Sequence, residues 1–161
     1  MGKRFNITGC CYPDRHYMVD ISEKLNEIKA LVDDGEYFVI NRARQYGKTT
    51  TLKMLRNYLG NEYMVISLDF QSIGARDFEN EYKFSKIMAE MILEAIRISN
   101  KNLGHIIQDD AYAELGKIVN CQQENIGLRG LFTALSQLCE CAKKDIVLMI
   151  DEVDSASNNQ V

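Results

Sequence analysis

Five consecutive apolar residues, Ile146-Val147-Leu148-Met149-Ile150, run straight into two acids, Asp151-Glu152. An uninterrupted apolar run this short, rich in β-branched residues, reads as a strand buried on both faces. A strand of that kind needs a layer on each side, which selects an α/β domain with a mostly parallel sheet and helices packed against it. The remainder of the chain supplies the parts. Tyr37-Phe38-Val39-Ile40 reads as another short buried strand, and Met64-Val65-Ile66-Ser67-Leu68-Asp69-Phe70 as a further one. Between and around them the apolar residues recur at helical spacing. A helix from about Asp20, capped by Asp20 with Glu23 reaching back, carries Ile21, Leu25, Ile28, Leu31 and Val32 and stops at Gly35. A second carries Leu52, Leu55 and Leu59 and closes at Gly60. Helices are expected over residues 80–99 (Phe84, Ile87, Met91, Ile92, Ala95), more weakly over 110–119, and over 127–143 (Leu128, Leu131, Phe132, Leu135, Leu138). These stripes read as core.

The 161 residues suffice for one domain with a core of its own. With 19 basic against 23 acidic residues the net charge is -4, which gives no general pull toward nucleic acid or an anionic membrane. No run of eighteen apolar residues occurs, so no membrane span is expected, and the start, MGKRFNIT, lacks the apolar stretch of a secretory leader. The five cysteines, Cys10, Cys11, Cys121, Cys139 and Cys141, are odd in number and not spaced as zinc ligands. They read as buried, inert, reduced thiols of a cytoplasmic protein.

The chemistry concentrates in two places. Between the strand at 37–40 and the helix carrying Leu52 stand Gly47-Lys48-Thr49-Thr50. Strand, loop and helix in this order build a phosphate-binding loop, because a helix N-terminus offers N–H groups and the positive end of its dipole to an anion. Gly47 lets the backbone approach a phosphate, Lys48 reaches the β- and γ-phosphates as a point charge, and the Thr49 hydroxyl ligates Mg²⁺. The complete Walker A pattern requires glycine at position 42, where this chain has Arg42. Arg44, Gln45, Tyr46, Gly47, Lys48, Thr49 and Thr50 make up the candidate nucleotide-binding loop; Arg44 either offsets phosphate charge or faces solvent. The second place is the acidic end of the apolar run, a Walker B segment. Asp151 is the candidate metal ligand beside Thr49, and Glu152 the candidate base that polarises water, joining Lys48 as a catalytic residue. Either motif alone occurs by chance, as a surface turn or as a strand ending in a solvated acidic turn. Both follow a strand, in the right order. Asp69, at the end of the strand at 64–70, reads as a turn-forming residue, Asp154 as a capping residue, and His16 as neither ligand nor base.

Residues 42–50, RARQYGKTT, resemble the variant phosphate loop of prokaryotic AAA-like ATPases, and so do His16-Tyr17-Met18-Val19-Asp20, Gly35-Glu36-Tyr37-Phe38 and Ile150-Asp151-Glu152-Val153-Asp154. The resemblance spans residues 4–155. It departs at Ala43, where proline is usual, and at Tyr46, where several relatives carry a small residue. It implies a P-loop NTPase of three-layer α/β/α form, in the additional-strand, catalytic-glutamate class, using ATP and Mg²⁺. On that basis residues 1–19 are a leader and 20–161 a partial ATPase domain, truncated after the Walker B strand. The sheet order implied is 5-1-4-3-2. With only strands 1, 2 and 3 supplied, the chain is expected to be unstable, to dimerise through its edges, or to pair strands 1 and 3 directly. The sensor residue, arginine finger and helical lid implied by the resemblance are not among these residues. The function expected is ATP binding with Mg-dependent hydrolysis, coupled to an unidentified protein partner or a carboxyl-terminal region, with a homo-oligomer as a further partner arrangement; a role on nucleic acid follows by family analogy only. The alternative is a nucleotide-binding interaction module that does not hydrolyse. A small-molecule phosphotransferase would need an arginine-rich lid, which is not found.

Overall fold

The computed structural model describes residues 4–5, 14–41, 47–103, 112–121 and 126–153. The chain divides into two compact units, Met1–Asn61 and Glu62–Val161.

The first unit is built on two helices, α1 (Ser22–Asp33) and α2 (Lys48–Leu59). Asp20 accepts the backbone N–H of Ser22 at 2.9 Å and its hydroxyl at 2.6 Å, holding the entry to α1. At the far end Gly35 N–H donates to Val32 and Glu36 N–H to Leu31, and Gly35 takes the left-handed backbone (φ 70) that this double closure demands. Leu25 and Ile28 of α1 and Thr51, Leu55 and Leu59 of α2 are the buried residues of the two helices, spaced three or four apart as a one-sided helix requires. Tyr58 on α2 donates its hydroxyl to Asn26 on α1. The strand expected at 37–40 is not formed. Residues 36–41 have no regular structure, Tyr37 is fully exposed and Val39 nearly so. Four residues of high β-propensity make a strand only where a neighbour completes the ladder, and among the described residues none does.

The second unit holds the sheet. Strand β1 (Met64–Asp69) pairs in parallel with β2 (Ile146–Asp151), from Met64 opposite Ile146 to Asp69 opposite Asp151. Two short 3₁₀ turns, Phe70–Ser72 and Ala75–Phe78, follow β1, and then α3 (Glu81–Leu103), α4 (Ala113–Asn120) and α5 (Leu128–Cys141). Helix α3 is the centre of this unit, packing on β1, α4, α5 and the second turn. Its inward residues Met88, Ala89, Ile92, Leu93 and Ile96 meet Met64, Ile66 and Leu68 of β1, Leu115 and Ile118 of α4, and Leu131, Ala134 and Leu138 of α5 in one cluster. Each large apolar side chain in it contributes about 1.5–3 kcal/mol relative to exposure. Tyr82 reaches across to donate to the carbonyl of Cys121 at the end of α4.

Three sequence expectations are corrected here. Strand β2 is not buried on both faces: Leu148 and Ile150 are 43% and 36% exposed, because among the described residues β2 has β1 as its single neighbour. The helices lie over β1 and leave the outer part of β2 uncovered. Phe132 is exposed, since the inward line of α5 runs through Leu131, Ala134 and Leu138 and Phe132 sits a hundred degrees round from it. Cys139 and Cys141 are exposed and Cys121 half-buried, because the last turn of α5 runs past its final core residue, Leu138; Cys10 and Cys11 lie outside the described residues. No helix among the described residues is long and apolar enough to cross a membrane.

Candidate functional site

The phosphate-loop candidates lie at the start of α2. Gly47 precedes the helix with φ 74 and ψ 23, in the left-handed region. A side chain there would meet no atom within 4 Å, so backbone conformation, not crowding, is what favours glycine at this point. From that turn the chain enters the helix at Lys48, and Thr51 N–H donates to the Gly47 carbonyl at 2.8 Å, closing the first turn. The capping position makes no side-chain hydrogen bond, and the first turn carries no acid. The first N–H groups of a helix have no acceptor within it, and the dipole end they form is positive. Lys48 and Thr50 are half-buried here and Thr49 is exposed, while Thr51 points into the unit. Arg44, Gln45 and Tyr46 lie outside the described residues, as do Arg42 and Ala43.

The acidic candidates lie at the carboxyl end of β2. Asp151 is the last strand residue and is half-exposed. Its Oδ1 accepts the backbone N–H of Glu152 at 2.9 Å, which bends the chain out of the strand. Glu152 takes φ 56, the one left-handed non-glycine backbone among the described residues. For a residue with a Cβ that conformation costs about 1–2 kcal/mol, and such costs gather at functional turns. Val153 beyond it is exposed, and Asp154 lies outside the described residues.

Gly47, Lys48, Thr49 and Thr50 thus stand together in the first unit, and Asp151 and Glu152 together in the second. Asp69, read from the sequence as a turn-forming residue, stands at the end of β1. That residue does form a turn, accepting Gln71 N–H at 2.9 Å at the head of the first 3₁₀ turn. It also lies directly beside Asp151 in the strand register. The available signal was that both strands end on aspartate.

Parallel strands joined through helices, a glycine-initiated helix and an acidic strand end are together compatible with a P-loop-like α/β domain. Residues 14–161 match the model of the family described as Predicted AAA-ATPase, and the chain belongs to that family. No curated protein and no solved structure matches the chain.

Proposed function

We propose that the chain binds ATP with Mg²⁺ and hydrolyses it as part of an AAA-like ATPase of the additional-strand, catalytic-glutamate class. The observation that carries this reading is the left-handed turn at Gly47 into a helix start, followed at once by Lys48 and Thr49, in a chain of this family. Backbone N–H groups of that turn hold the phosphates, with Arg44, Gln45, Tyr46 and Thr50 completing the loop. Lys48 sets its ammonium charge against the β- and γ-phosphate oxygens. Thr49 and Asp151 are the candidate Mg²⁺ ligands, and their donor chemistry fits: a hydroxyl and a half-exposed carboxylate are the hard oxygens this cation takes. When bound, the cation offsets the charge of the phosphates. Glu152 accepts the proton of the attacking water as that water's oxygen bonds to the γ-phosphorus and the bond to ADP breaks.

The test is titration calorimetry of ATP·Mg²⁺ on the chain, with Lys48→Ala alongside and turnover measured for Glu152→Gln. Binding that falls at least tenfold in Lys48→Ala supports the loop; equal binding in both, with folding verified by circular dichroism, overturns it. Turnover lost in Glu152→Gln with binding kept assigns hydrolysis, whereas a chain that binds but never turns over is the non-hydrolysing interaction module. A protein partner, a homo-oligomer or a carboxyl-terminal effector remains the proposed means by which ATP use is coupled to work.

A further inference from the structure

Helix α5 carries two apolar lines, and the core takes one of them, through the buried Leu131, Ala134 and Leu138. A helix turns by about 100° per residue, so Leu128, Phe132, Leu135 and Cys139 form a second line beside the first. Leu128 is half-buried, Leu135 touches the core at its edge, Cys139 is exposed and Phe132 is 61% exposed. A surface helix ordinarily turns polar residues outward where its core-facing stripe ends. The hydroxyls bordering this line are also engaged. Thr133 donates to the Arg129 carbonyl and Ser136 to the Phe132 carbonyl, each at 3.0 Å. Both are satisfied within the helix and lose no partner when the face is covered.

The charges of α5 select what can cover it. The helix has two, Arg129 in its first turn and Glu140 in its last, both exposed. Neither has an ion pair among the described residues. From 129 to 140 is eleven residues, about three turns, so the two charges lie on one line flanking the apolar one. The apolar line itself steps by four, three and four residues from Leu128 to Cys139, a spacing that reads the same in either direction. Two copies of α5 laid antiparallel therefore set Phe132 of each against Leu135 of the other, and Leu128 against Cys139. The same arrangement puts Arg129 of each beside Glu140 of the other. A two-fold axis makes every such contact twice, the commonest way in which identical chains associate.

We infer that the outer face of α5 is an interface between two copies of this chain, the helices antiparallel across a two-fold axis with Phe132 as anchor. A seam of this size is small beside the interfaces of stable dimers, so the association is weak and depends on concentration. It shares no residue with the proposed nucleotide site, and the inference stands without that reading.

The test is sedimentation equilibrium of the whole chain over a range of concentrations. Wild type is compared with Phe132→Asp, Arg129→Glu, Glu140→Arg and the double charge swap, with circular dichroism to confirm that each is folded. Wild type is expected to show a monomer–dimer equilibrium. Phe132→Asp should raise the dissociation constant about thirtyfold, as loss of an interface anchor does. Each single charge reversal should weaken the dimer about tenfold, since two exposed pairs turn repulsive. The double swap restores opposite charges across the axis and should recover the wild-type value. A chain that is monomeric at every concentration overturns the inference. So does a dimer unchanged in Phe132→Asp, which is then formed elsewhere, for example through strand edges. A double swap no stronger than the single variants overturns the antiparallel arrangement, and should Phe132→Asp fail to fold, the charge-swap series decides alone.

Discussion

Helix α3 enters its first turn with Asn80 accepting the N–H of Lys83 at 2.9 Å and with Glu81 adding negative charge at the positive end of the helix. Helix α2 enters from a left-handed glycine, with no side-chain cap and no acid in the first turn. A helix whose start serves only the fold is best closed by its own residues, since a good cap contributes about 1 kcal/mol. Helix α5 also starts at a glycine, Gly127, without a side-chain cap or first-turn acid, so what sets α2 apart is the left-handed backbone of Gly47 leading into Lys48 and Thr49, which fits a start that an anion completes. Helix α1 is a third case, held from outside its first turn by Asp20.

The sharpest way to break this comparison is to close α2 artificially. Gly47→Asp puts a carboxylate where the phosphates are proposed to sit, and aspartate is among the residues that tolerate the left-handed backbone. ATP affinity is expected to fall roughly thirtyfold, the equivalent of about 2 kcal/mol at a helix terminus, when measured by calorimetry against wild type. Unchanged affinity would remove the distinction between the two helix starts. The converse substitution is Asn80→Ala, which should lower the free energy of unfolding by about 1 kcal/mol in urea titration and leave ATP affinity alone. The smallest effect belongs to α1. Hydrogen bonds from the Ser22 side chain and backbone hold the Asp20 carboxyl below its ordinary value of 3.8. A carboxyl lowered on folding stabilises the protein above its unfolded value, and that contribution fades as pH falls through the folded one. Wild type should therefore lose slightly more stability than Asp20→Asn as pH drops below 3.8, read from thermal melts. Asp20 is fully exposed, so water screens most of the effect.

Local patterns carried most of what could be read in advance. The stops at Gly35 and Gly60, the inward lines through Leu25 and Ile28 and through Leu131 and Leu138, and the strands at β1 and β2 all follow from spacing within a few residues. What failed depended on neighbours. Tyr37-Phe38-Val39-Ile40 has a strand's composition, but a strand is defined by the chain beside it. Leu148 and Ile150 are as apolar as any core residue, yet their exposure is set by how far the helices extend over the sheet. The site divides the same way. That Gly47, Lys48 and Thr49 open a helix is legible because the first turn of a helix is a local object, whereas the register of β1 on β2 joins segments far apart in the chain.

That separation also bears on time. Met64 finds its partner in Ile146, 82 residues later, and a ribosome working at 5–20 residues per second takes roughly 4 to 16 seconds to deliver it. Helices form within about a microsecond, so α3 is complete long before β2 exists. The side of β1 that carries Met64, Ile66 and Leu68 packs in one cluster with α3. During synthesis that helix can act as an internal chaperone, shielding a sticky strand until the segment that zips it shut has left the ribosome.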